Sequence, residues 1–178
     1  MQAREDDLTI LASPNEWCVA ETGGVILVLL LTSMRTAWLD DFTKAVLEAA
    51  ARCPGGRAPM LAVFRLDKRY PLDIGFKGNL GELGEARDKL LPIMVANAIV
   101  IEFEGFLAAT LRGAIATLNR FSSKTHPDSA HRTAVSGAAW LAPYAAQECR
   151  RDVKHYVDAI NRMKRLLGCD DESKRRLA

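Results

Sequence analysis

The sequence predicts an α/β fold with a mixed central sheet flanked by helices and a helical extension at the C-terminus. Three observations predict it. Val25–Leu31 reads VILVLLL, an apolar run without alternation, which suits a strand covered on both faces. Ala98–Phe103 is a second short, β-branched apolar run. After the Glu104-Gly105 break, Phe106, Leu107, Thr110, Leu111, Ala114, Ile115, Leu118 and Phe121 recur at three- and four-residue steps, the mark of an amphipathic helix over Leu107–Phe121. A strand, a tight turn and such a helix form half of a βαβ unit.

The elements follow in order. Met1–Asn15 reads as a polar lead-in ending in the turn signal Ser13-Pro14-Asn15. Glu16–Glu21 reads as a strand, and Thr22-Gly23-Gly24 as the hairpin turn into Val25–Leu31. Thr36 is expected to cap a helix with Asp40 and Asp41 in its first turn and Trp38, Phe42, Ala45, Val46 and Ala49 as its buried stripe. Cys53-Pro54-Gly55-Gly56 stops that helix, and Met60–Leu66 reads as the third strand. Asp67–Gly81 is a loop of functional length, and Glu82–Ala96 a helical segment that Pro92 kinks or divides. Ser122–His131 reads as a polar linker and Thr133–Tyr144 as a short helix. In Glu148–Leu167, Cys149, Val153, Tyr156, Ile160, Met163 and Leu167 are spaced 4, 3, 4, 3, 4, a regular seam. The tail DDESKRRLA is charged. This divides the chain into a lead-in (1–15), an α/β domain (16–144) and a C-terminal helix with its tail (145–178).

Composition narrows the function classes. The chain has 178 residues, 49% of them apolar, enough for one domain with a real core. Its net charge of +2 creates no field that would draw nucleic acid. Cys18, Cys53, Cys149 and Cys169 are widely spaced, which argues against zinc and for reduced thiols in a cytoplasm. The N-terminal residues MQAREDDLTI do not read as a signal peptide, and the seven apolar residues Val25–Leu31 fall far short of a membrane span of about 20.

Candidate chemistry is sparse. Gly75, Gly78, Gly81 and Gly84, with Lys77, suggest a phosphate cradle, but no GxxxxGK[ST] or GxGxxG is present, and Glu82 and Glu85 would repel a phosphate there. His126 and His131 have no cysteine nearby to complete a ligand set, and His155 reads as solvated. Cys149 and Cys53 read as packing residues. Glu102 and Glu104 share one face at a strand end, where carboxylates can hold a metal, although such residues more often face water. Arg150, Arg151, Lys154, Arg162, Lys164 and Arg165 give the last helix a basic face, readable as a solvated surface or as a contact for an acidic partner, a membrane surface or RNA.

The order hairpin, helix, strand, helix, strand, helix resembles the STAS family, the anti-sigma-factor-antagonist fold. It is similar in particular to the transporter-free STAS-like proteins of proteobacteria, myxobacteria especially. The residues that carry the resemblance are W-x-V-x-E-T-G-G-V-I-L-V at Trp17–Val28, V-I-E-F-E-G-F-L-A-A-T-L-R at Val100–Arg112 and A-A-W-L at Ala138–Leu141. The resemblance spans Trp17–Leu141 and implies a small regulatory module that binds a partner, often a switch kinase, and is often phosphorylated on Ser or Thr after the third strand. Here that stretch reads LDKRYPLDIG. No Ser or Thr lies between Asp67 and Gly84, so the phosphoswitch does not transfer.

The expectation is therefore a non-enzymatic, cytoplasmic STAS-like interaction module, with no cofactor, no nucleic acid and no membrane span. Its partner is a protein, and the last helix packs partly on its own domain and finishes burying the seam Val153, Tyr156, Ile160, Met163 and Leu167 in a homodimer. Arg150, Arg151, Lys154 and Arg162 form a basic contact face, and peripheral membrane contact stays open. The alternatives are a small-molecule or lipid binder with a cavity at the loop of Asp67, Tyr70 and Lys77, and a metal-assisted hydrolase or transferase built on Glu102 and Glu104.

Overall fold

The computed structural model describes residues 8–32, 36–65, 67, 69, 80–105, 108–109 and 126–169. Six strands form one mixed sheet in sequence order: β1 (Thr9–Ala12), β2 (Trp17–Thr22), β3 (Val25–Leu30), β4 (Ala58–Phe64), β5 (Met94–Ile101) and β6 (Asp128–His131). The first three pair antiparallel and the last four pair parallel. Among the described residues, the α-helices with defined bounds are α1 (Leu39–Arg52), α2 (Leu80–Leu90), α3 (Ala134–Leu141) and α4 (Val153–Leu166). The α/β class, the mixed sheet and the flanking helices are as the sequence predicts.

β3 lies inside the sheet between β2 and β4, and each of its six side chains is buried, as a strand without alternation should be. The period of two splits the core. Leu27 and Leu29 of β3, Leu61 and Val63 of β4, and Ala96, Ala98 and Val100 of β5 face α3 and α4. Ile26, Val28 and Leu30 with Met60 and Ala62 face α1, and Leu90 and Met94 complete that side.

Several elements differ from expectation. The lead-in contains β1, which pairs with β2 along the sheet edge. The expected linker contains β6, a four-residue edge strand in register with Asn97–Val100. The helical reading of Glu82–Ala96 runs too far: α2 ends at Leu90, a 3-10 turn holds Pro92, and Met94–Asn97 already belong to β5. Thr36 opens a 3-10 turn, and α1 starts at Leu39 without a side-chain cap. Gly81 and Gly84 lie inside α2, so the four glycines do not share one loop. Of the expected Leu107–Phe121 helix only Ala108 and Ala109 are described, both helical, and the rest lies outside the described residues.

The largest revision concerns the C-terminal helix, expected to finish its burial in a second copy. Tyr156, Ile160, Met163 and Leu167 are buried in the core on the chain's own sheet, and Val153 packs against them. Asp152 caps α4 by accepting from the His155 amide at 2.8 Å. Gly168, at φ +64°, closes it, with the Cys169 amide donating to the Lys164 carbonyl at 2.9 Å. The segment also clasps the β2–β3 hairpin. The Tyr156 hydroxyl donates to the Gly23 carbonyl at 3.2 Å, and the His155 ring nitrogen lies 2.7 Å from the Thr22 hydroxyl, so this histidine is not solvated. A side chain at Gly23 would meet Arg151 and the Cys149 carbonyl at this crossing.

Candidate functional site

The parallel half of the sheet ends on one edge, where the residues after successive strands come together. Arg65 follows β4, Glu102 follows β5, and Arg132 and Thr133 follow β6. The ladder continues one step past the strands: the Arg65 amide donates to the Leu30 carbonyl at 2.8 Å, and the Glu102 amide to the Phe64 carbonyl at 2.9 Å. That fixes the two side chains as neighbours, and Arg65 Nη1 lies 3.6 Å from Glu102 Oε2.

α4 supplies the opposing wall. Lys164, next to seam residue Met163, turns inward rather than joining a basic outer face. Its Nζ stands 2.6 Å from one Glu102 oxygen and 2.9 Å from the other, and both side chains are nearly buried, at 12% and 14% exposure. Two cations thus hold one carboxylate. Together with Glu104, Arg132, Thr133 and the apolar Ile101 and Phe103, these residues line an open cleft of about 690 Å³, about half of whose surface is polar. Thr133 is the N-cap of α3 and accepts from the Ser136 amide at 3.1 Å, so the positive end of that helix lies at the cleft.

Beside the cleft, Asp67 and Arg69 form a bidentate pair at 3.0 and 2.7 Å, and Arg69 Nη2 also donates to the Leu167 carbonyl at 2.9 Å, at the C-terminal end of α4. The Arg69 hydrogen bonds hold the Asp67 carboxyl below the usual carboxylate range. Arg69, oriented by Asp67, is therefore the clamp onto the end of α4. Tyr70 and Lys77 lie outside the described residues.

The expected basic face is largely engaged by the chain itself. Arg150 donates to the Pro143 and Ala145 carbonyls at 2.7 and 3.1 Å, and Arg151 to the Cys149 carbonyl at 3.1 Å. Lys154 pairs with Asp158 at 2.8 Å one turn along the helix, and Arg162 is exposed. Of the seam, Tyr156, Ile160, Met163 and Leu167 are core, while Val153 and Cys149 are partly buried.

Other reactive groups sit away from the cleft or are electrostatically quiet. Burial pushes the Cys18 thiol up to about 11 and the Cys53 thiol, next to Glu21, up to about 12. Burial also raises Cys169, so all three stay protonated at neutral pH. His131 is pushed down by burial and stacks near Trp140, ring centroids 5.8 Å apart. Among the described residues, no group of three His, Cys, Asp or Glu is arranged to hold a metal ion, and no helix is long and apolar enough to cross a membrane.

Sequence reasoning singled out Glu102 and Glu104 but missed Arg65, Arg132, Thr133 and the inward turn of Lys164. The available signal was that charged or capping residues follow β4, β5 and β6. It becomes visible only once β6 is known to be a strand. Comparison with family models, with curated proteins and with solved structures returns no match.

Proposed function

We propose that the chain is a non-enzymatic, STAS-like regulatory module that works in the cytoplasm by docking a partner protein, and that the docking site is the cleft at the ends of β4, β5 and β6. The observation that carries this reading is the lining of the cleft. Arg65, Arg132 and Lys164 outnumber Glu102 and Glu104, and the α3 N-terminus adds partial positive charge. An acidic segment of a partner is the group such a lining attracts. Binding is favoured over acid–base chemistry because Glu102 is held by two cations and the Thr133 hydroxyl is engaged as a cap.

A small anionic molecule is the second reading, favoured by a cleft volume within the range of small-ligand sites, about 300–1,000 Å³. The homodimer expected from the seam loses its support, because that seam is core.

A capped hexaglutamate peptide titrated into the ¹⁵N-labelled protein tests the proposal. The amides of Arg65, Gly105, Thr133 and Lys164 should shift together, with affinity falling as salt rises. Arg132→Glu should weaken binding about tenfold, the equivalent of 1.4 kcal/mol. No shift at millimolar peptide, or shifts scattered over other faces, would contradict the assignment. Light scattering on the same sample reports whether a second copy is the partner.

A further inference from the structure

The cleft at the strand ends carries two kinds of surface. Glu102 extends the side of β5 that holds Ala98 and Val100, and Lys164 meets it there. Ile101 and Phe103 occupy the alternating positions and also line the cleft. Ile101 is only 2% exposed, whereas Phe103 is partly exposed, so Phe103 offers the apolar side chain that a ligand can cover. A partly exposed aromatic ring beside arginines has the composition of a recognition surface, where aromatic residues and Arg are enriched.

The charges limit what a purely acidic ligand can gain. Three cations on the lining, Arg65, Arg132 and Lys164, face two carboxylates, Glu102 and Glu104, which leaves a surplus of one. Glu102 already takes the contacts of Lys164 at 2.6 Å and of Arg65 at 3.6 Å. Arg132 is exposed and makes no ion pair among the described residues. Contacts between exposed charges are weak in water and screened by salt, so one available cation and a helix end bind a polyacidic run only weakly. Apolar contact with Phe103 supplies affinity that the charges do not.

We propose that the partner presents an amphipathic segment, in which a carboxylate side chain meets Arg132 and the start of α3 while a neighbouring leucine-sized or aromatic side chain packs on Phe103. This rests on the assignment of the cleft as the docking site for an acidic partner, and it narrows the partner's segment from acidic to acidic and apolar together. The two halves of the lining then have separate tasks. The charges steer and orient the segment, and the apolar contact holds it.

Two capped pentapeptides, EELEE and EEQEE, matched in charge and length and differing in one apolar side chain, are the probes. Titrated into the ¹⁵N-labelled protein, EELEE should bind about fivefold more tightly than EEQEE and should shift the Phe103 amide together with those of Arg132 and Thr133. Phe103→Ser should weaken EELEE to the level of EEQEE, and Arg132→Glu should weaken both peptides alike and keep the preference. The wild-type comparison stands even if a variant fails to fold. Inorganic phosphate that displaces EELEE at equal concentration would give the cleft to a small anion and overturn the proposal. Equal binding of the two peptides by the wild type would overturn the amphipathic segment while leaving an acidic docking site. No binding of either at millimolar concentration would overturn that site and this inference together.

Discussion

The two faces of the sheet are built from the same strands but packed differently. On the α3/α4 face, Tyr156, Ile160 and Met163 are buried in the core, and α3 lies so close to the sheet that a Cβ at Gly137 would lie 2.6 Å from Val100 Cγ2 and 3.0 Å from Leu61 Cδ1. On the α1/α2 face, β4 presents the equally apolar Met60, Ala62 and Phe64, yet a pocket of about 190 Å³ remains. The difference shows that apolar composition does not determine packing. The closed face carries stability and fixes Lys164 as a wall of the cleft, and the open face keeps unfilled space.

The comparison is broken most easily on the closed face. Ile160→Asp would place an unpaired carboxylate at a fully buried position and should destabilise the protein by about 3–5 kcal/mol in urea unfolding, enough to unfold most domains of this size. A midpoint close to wild type would mean that α4 does not rest on the sheet. A matched pair of enlargements sharpens the contrast. Ala98→Leu, toward α3 and α4, should lose about 1–3 kcal/mol through overpacking, while Ala62→Leu, toward the pocket, should change stability by less than about 0.5 kcal/mol. Equal losses at the two sites would show that the faces are packed alike.

Smaller effects probe the strand ends. Lys164→Met leaves the nearly buried Glu102 with Arg65 alone and should cost about 1–2 kcal/mol, partly restored by adding Glu102→Gln, as a double-mutant cycle would measure. Asp67 gives the smallest effect. Its pKa is lowered in the folded state, so the stabilisation is present above a pH of about 4 and fades as pH falls through the folded value. Because Arg69 is half exposed, Asp67→Asn should remove only about 0.5 kcal/mol at neutral pH and should flatten the acid limb of a stability–pH curve.

Much of the fold was legible because periodicity is a local signal. The non-alternating Val25–Leu31 run identified an interior strand, and Cys53-Pro54-Gly55-Gly56 marked the end of α1. What escaped were elements created by partners. DSAH at Asp128–His131 has no apolar pattern and becomes a strand because β5 offers an edge, and TILA at Thr9–Ala12 does so beside β2. Met94–Ile101 begins directly after the turn at Pro92, so its first four residues are not set off in the sequence from the helical stretch before them. The stripe on α4 was rightly read as buried, but a stripe cannot say which surface covers it. The cleft was half legible: Glu102 was noticed for its position at a strand end, while Arg65 and Lys164, distant in sequence, meet it only through the topology.

α4 is a fixed part of the folded unit, closing one face and holding one wall of the cleft, rather than an arm that detaches to meet a second copy. Native-state hydrogen exchange tests this most directly. The amides of Ile160–Lys164 should exchange only by global unfolding, with the same free energy and denaturant dependence as those of Leu27–Leu29 in β3. Exchange of the α4 amides through a separate opening, at much lower free energy and nearly insensitive to denaturant, would contradict it.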